Sequence, residues 1–456
     1  MFEDQSRRAF LQRSSSLGIV GAASPFVMNL AAIGEAAASV NTDYKALVCI
    51  FLFGGNDWAN TLPPYDQASY NAYQAQRSAL AYLRTDLAPT LLNPTTALPG
   101  GRQFALSPSL APLLPVFDAG KMAPVLNVGT LMQPTTKAQY TAKSVPLPPK
   151  LFSHNDQQSF WQASNPEGAN SGWGGRIGDL MQAGNGNATL TCINASGNAV
   201  FLTGRQAVQY SVGTSGPIAL SARTTLYGST AASTALQNLM GGTNAGLLAN
   251  EHAKVSKRSL DAYAQVSTAL TAAPVLTTAF PTSSLGQQLK VVANMISMSS
   301  QLGARRQVFF VSTGGFDLHD NLVALHPGLL NGVATAARAF YDATVELGIS
   351  DKVTAFTGSD FGRTLLANTD GSDHGWGSMH FVMGGAVKGK QLYGTAPEYG
   401  NNTPSDVGQG RLLPTTSVDQ YASTLASWFG VANSDMTTVL PNMGNYNAST
   451  WNLGFV

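Results

Sequence analysis

Ala46–Phe53 is apolar throughout, rich in β-formers, and ends in Gly54-Gly55-Asn56-Asp57. A strand with no polar face must be covered on both sides, as in the centre of a parallel sheet. Ala123–Val128, Gln307–Ser312 and Lys352–Phe356 repeat the pattern, and Phe381–Met383 begins another run before Gly384-Gly385. Helix-period segments lie between them. Leu289–Leu302 places Val292, Met295, Ile296 and Ser299 on one face, and Leu329–Leu347 carries Val333, Ala336, Ala337, Phe340 and Val345. This alternation predicts an α/β fold with a mainly parallel central sheet flanked by helices. The Pro-, Thr-, Asn- and Gln-rich stretches 60–115 and 133–149 read as long loops. Residues 185–280 read as a small β-rich and helical insertion. With no internal repeat, residues 39–456 are expected to form one domain.

The N-terminus has a different logic. Ser6-Arg7-Arg8-Ala9-Phe10-Leu11-Gln12 precedes a small, apolar stretch from Leu17 to Ile33, and Ala36-Ala37-Ala38 offers a cleavage site. Residues 1–38 thus read as a twin-arginine signal peptide, recognised by the Tat export machinery, which places the mature chain in the periplasm or outside the cell. A net charge of +1 excludes electrostatic attraction to nucleic acid or an anionic membrane. Past Ser39 no segment is long and apolar enough to cross a bilayer. Cys49 and Cys192 lie in strand-like runs and are expected as buried thiols, with one disulfide as the alternative.

Three of the strands end in a glycine-containing turn with an aspartate at its tip: Asp57, Asp317 in Gly314-Gly315-Phe316-Asp317-Leu318-His319, and Asp360 in Gly358-Ser359-Asp360-Phe361-Gly362-Arg363. The carboxyl ends of parallel strands share one edge, where ligands bind. Three carboxylates converging there repel one another unless a cation compensates. His154, His319, His374 and His380 fall in or near the same segments, and a mixed carboxylate and imidazole set suits zinc, manganese or iron better than calcium. Ser153, with His154 beside it, reads from position alone first as a helix N-cap, and as a candidate nucleophile at the helix start. Arg363 and Arg176 each read as an oxyanion clamp or as the partner of an acid.

Taken together, these motifs resemble the DUF1501 family. The residues that carry the resemblance are Gly54-Gly55-Asn56-Asp57, Ser153 through Gln158, Gly172-Trp173-Gly174-Gly175-Arg176, Gly315 through His319, Ser359 through Thr364, Asp373-His374-Gly375-Trp376 and the tail from Leu413 to Phe455. The family is similar in fold to the alkaline phosphatase–sulfatase superfamily. That implies metal ligands at Asp57, Asp317, His319, Asp360 and His374, and a nucleophile at Ser153. The position implied for a further histidine ligand is Phe361, which cannot ligate, and the Asp317–His319 spacing is short. One ion or two both stay open, with zinc or manganese preferred.

Two functions follow as expectations. One is an exported metal-dependent hydrolase of small-molecule or glycan phosphate or sulfate esters, with Ser153, His154 and Arg363 as catalytic residues. The other is an envelope binding or assembly protein that keeps the fold without turnover.

Overall fold

The computed structural model describes residues 43–197, 199–219, 224–242 and 246–456. The signal peptide read at 1–38 lies outside the described residues. Eleven strands are described: β1 (Lys45–Leu52), β2 (Met122–Gly129), β3 (Cys192–Asn194), β4 (Gln209–Gly213), β5 (Gly216–Pro217), β6 (Arg306–Thr313), β7 (Val353–Ser359), β8 (Arg363–Asn368), β9 (Gly371–His374), β10 (Ser378–Gly384) and β11 (Thr416–Ser417). Nine form one sheet in the order β11-β2-β10-β7-β1-β6-β3-β4-β5, and β8 and β9 form a separate hairpin. The chain is therefore α/β with a large, mostly parallel central sheet.

The all-apolar strands behave as their composition requires. In β1, Ala46, Val48, Ile50 and Leu52 join the core on one face, while Leu47, Cys49 and Phe51 join that on the other. Helices Ser284–Ser297 and Leu322–Glu346 contribute to the first core. Helices Trp173–Met181 and Val418–Phe429 contribute to the second. Cys49 and Cys192 are buried and unpaired.

Strand direction positions the site. β6 and β7 flank β1 in parallel, with Leu52 opposite Thr313 and Ser359, so the turns carrying Asp57, Asp317 and Asp360 emerge at one edge. β2 runs the same way, because it is antiparallel to β10, which is antiparallel to β7. The start of β10 therefore returns to that edge, bringing His374 with it.

Two stretches depart from the sequence reading. Residues 60–115 include helix Gln67–Arg77 and several short helical turns over the sheet rather than bare loop. The Asp373-His374 segment, which no strand-like run marked, belongs to β9, paired with β8.

Candidate metal centre

Four side chains meet at this edge. Asp317 follows β6, His319 stands two residues on, His374 ends β9, and His154 opens helix His154–Ala163. His154 Nε2 lies 3.3 Å from Asp317 Oδ2. His319 Nε2 and His374 Nε2 lie 3.0 and 3.1 Å from Asp317 Oδ1, and 2.9 Å from each other. One atom each from His154, Asp317 and His374 fits within a 4.8 Å span. Donors bound at about 2.0–2.2 Å to one ion stand roughly 3–3.5 Å apart, which the contacts to Asp317 match, and His154, Asp317 and His374 form the group compact enough to share a cation, with His319 beside it.

The other face of each imidazole shows why Nε2 is the nitrogen turned to the cluster. His374 Nδ1 is 2.7 Å from the carbonyl of Phe152, His154 Nδ1 is 2.7 Å from Asp360 Oδ2, and His319 Nδ1 is 3.2 Å from Asp373 Oδ1. Those oxygens accept, so each Nδ1 donates, and in the neutral ring the Nε2 lone pair is turned toward Asp317. Imidazoles anchored through one nitrogen and presented through the other are the usual arrangement around a metal. The buried Nε2 of His154 has no hydrogen-bond partner, as expected of an atom built to ligate.

Electrostatics agree. Burial opposes the charge on Asp317, but the Arg363 hydrogen bond and charge, with His154 and His319, hold its carboxyl below the usual range. Burial, and the charges of Arg363 and His154, push the His374 pKa down, favouring the neutral ring. The hydrogen bond to Asp360 raises that of His154 against the opposing effect of burial. The carboxylates that draw a proton to His154 would equally draw a metal ion, and the two compete for Nε2.

Packing fixes the rings. Phe361 lies 4.9 Å from the His154 ring and 4.7 Å from the His374 ring, serving as a wall where the family resemblance implied a ligand. Gly55, at φ +82°, makes room for it: a Cβ there would stand 2.4 Å from the Phe361 ring. Gly54, at φ +115°, lets β1 turn against Asp317, whose amide nitrogen would stand 2.4 Å from a Cβ.

Several expected site residues have other positions. Asp57 caps helix Trp58–Thr61 through the Asn60 amide, pairs with buried Arg77 at 2.6 Å and accepts from Ser372, so both its oxygens are engaged away from the three imidazoles. Asp360 stands behind His154, its Oδ2 accepting from His154, Gln158 and the Gly54 amide. Arg363 is fully buried and donates to Asp317, the Gly54 carbonyl and Ser372, so it steadies the Asp317 carboxylate instead of facing a substrate. Arg176 is held by the carbonyls of Val439, Ser171 and Ala163. Ser153 is the N-cap residue of its helix without a capping hydrogen bond from its side chain; Oγ donates to Asp156 Oδ2 at 3.1 Å instead. Its chain neighbours are His154 and Phe152, whose carbonyl accepts a hydrogen bond from His374 Nδ1. His380 lies in β10 against Thr357, Trp161 and Tyr421, where burial lowers its pKa to about 3.

Asp373 and the Phe152 carbonyl were not singled out from sequence. Asp373 stands directly before His374, the one signal that could have raised it; a backbone carbonyl carries no residue-type signature at all.

Among curated proteins none matches the sequence. A solved structure described as the PsFucS1 sulfatase from Pseudoalteromonas sp. is 9% identical, with a TM-score of 0.33, over 91% of this chain and 73% of that one. The family model described as "Protein of unknown function (DUF1501)" matches residues 44–440. The chain belongs to the DUF1501 family.

Proposed function

We propose that the protein is an exported hydrolase of phosphate or sulfate esters that works with one divalent cation, zinc or manganese, held by His154, His319, His374 and Asp317. The observation that carries this reading is the convergence of three anchored imidazoles on one carboxylate. A bound divalent ion supplies charge to polarise the ester and to offset the negative charge that develops in the transition state.

This chain's own residues supply position. Asp360, Asp373 and the Phe152 carbonyl orient the three imidazoles, Arg363 holds Asp317, and Phe361 packs against two of the rings. Ser153 is the nucleophile, and Asp156 receives the hydrogen of its hydroxyl. As Oγ bonds to phosphorus or sulfur, the ester oxygen leaves and its alcohol regains a proton by way of Asp156 and solvent. Water then releases the anion and restores the hydroxyl. The twin-arginine pathway carries folded proteins, so the ion can be loaded before export.

Metal content measured together with turnover of aryl phosphate and aryl sulfate tests the reading. The expected result is activity that is lost with a chelator, restored by metal and abolished in Ser153→Ala. A metal-free protein inert on both esters refutes it; a metal-bound but inert protein points to the binding function instead.

A further inference from the structure

The cluster explains where a cation would sit but leaves open what recognises the negatively charged end of a substrate. Arg363 and Arg77 are fully buried and committed to internal partners. Arg411 differs. It is half-buried, its Nε donates to the backbone carbonyl of His374 at 2.8 Å, and its guanidinium lies 4.8 Å over the Phe152 ring. Among the described residues neither of its Nη atoms has a protein acceptor.

Both anchors of Arg411 belong to the metal centre. His374 is a ligand in the arrangement above, and Phe152 accepts the His374 Nδ1 proton. Phe152 has φ +72°, a conformation a bulky side chain adopts only where its surroundings impose it. That backbone places its carbonyl on His374 and its ring beneath Arg411. The turn preceding Arg411 is fixed too: Asp406 Oδ1 accepts from the Gly408 and Gly410 amides at 2.7 and 2.8 Å. A guanidinium stacked on an aromatic ring and tethered through Nε keeps its two-nitrogen edge available, the edge that matches an oxyanion.

We infer that Arg411 binds the tetrahedral oxyanion of the substrate beside the metal centre, with Phe152 as its backing. The substrate class rests on the hydrolase reading above. Inorganic phosphate and inorganic sulfate are the probes, titrated into the full-length zinc-loaded protein as wild type, Arg411→Gln and Arg411→Lys, with zinc content measured in each. Arg411→Gln is expected to keep its zinc and to weaken anion affinity about 10- to 100-fold, the scale of a charge-assisted hydrogen bond. Arg411→Lys is expected to fall between, since an ammonium restores charge without the fork. Wild-type affinity in Arg411→Gln at equal zinc content overturns the inference, as does a wild type that binds neither anion. If Arg411→Gln does not fold, undiminished affinity in Arg411→Lys overturns it. Arg411-dependent anion binding without ester turnover refutes the hydrolase reading alone; turnover with Arg411-independent binding refutes this inference alone.

Discussion

Asp57 and Asp317 close the turns after two neighbouring parallel strands, yet they have opposite surroundings. The Asp57 side chain is 2% exposed and sealed against Arg77, which is 0% exposed. The Asp317 side chain is 44% exposed and faces three imidazoles. Burial disfavours the charge on Asp57, but Arg77, His326 and the Asn60 amide outweigh it and keep the carboxyl below its usual range. The difference teaches that a strand-tip aspartate with a buried arginine partner is open to a further cation only where its carboxylate stays exposed. Arg77 seals Asp57 completely, whereas Asp317, paired with the equally buried Arg363, still presents its carboxylate to three imidazoles.

Removing each carboxylate separates the two roles. Asp57→Ala strands a buried guanidinium and should lower unfolding stability by about 3–5 kcal/mol, measured by denaturant titration, with metal binding retained in the folded fraction. A mild stability change with complete loss of metal would reverse the assignment.

A third carboxylate sharpens the electrostatic half of the comparison. Asp419 is buried, with Ser164 as its nearest donor, and burial pushes its pKa up to about 6. Its folded-state pKa lies above the ordinary value of 3.8, so the stabilisation it contributes is complete below pH 3.8 and lost as pH rises through about 6. The change amounts to about 3 kcal/mol. Asp419→Asn should flatten the stability–pH curve across that window; an unchanged slope would show that Asp419 is ionised throughout.

The outer acceptors are expected to matter less than the ligands. Asp373→Asn removes the carboxylate behind His319 and should weaken metal affinity about 10- to 100-fold without changing stoichiometry. The smallest effect belongs to Phe361→Leu, which keeps the wall apolar but loses the ring faces. It should weaken metal binding by less than about tenfold, since the two aromatic contacts pack the rings with or without an ion and leucine keeps most of that packing. A complete loss of metal there would make Phe361 more than a packing surface.

These contrasts also mark what the sequence could and could not disclose. The continuous apolar runs determined the sheet, because a strand with no polar face admits few environments, and glycine turns tipped with acids marked the edge where the Asp57, Asp317 and Asp360 turns emerge. Residue type and position drew attention to Asp317, His319 and His374, which the fold brings within 3.1 Å of one another. The roles of Asp57 and Arg363 could not be read this way, because each depends on partners distant in sequence. Arg77 reaches Asp57 from helix Gln67–Arg77, in a stretch read as loop, and Ser372 reaches both from β9, a strand too short and polar to stand out in the sequence. That the His154 ring faces Asp317 could not be read either, because the fold of the 130–153 segment, which no periodicity predicts, decides which way the ring points.

The most direct test of the metal centre is the number of metal equivalents bound per chain. Elemental analysis of the wild type, Asp57→Asn and the double variant His319→Ala/His374→Ala, each reconstituted with zinc and dialysed, supplies it. One tightly held ion is expected in the wild type and in Asp57→Asn, and none in the double variant. Stoichiometric zinc that survives loss of both histidines, or no stoichiometric zinc or manganese in the wild type, would contradict it.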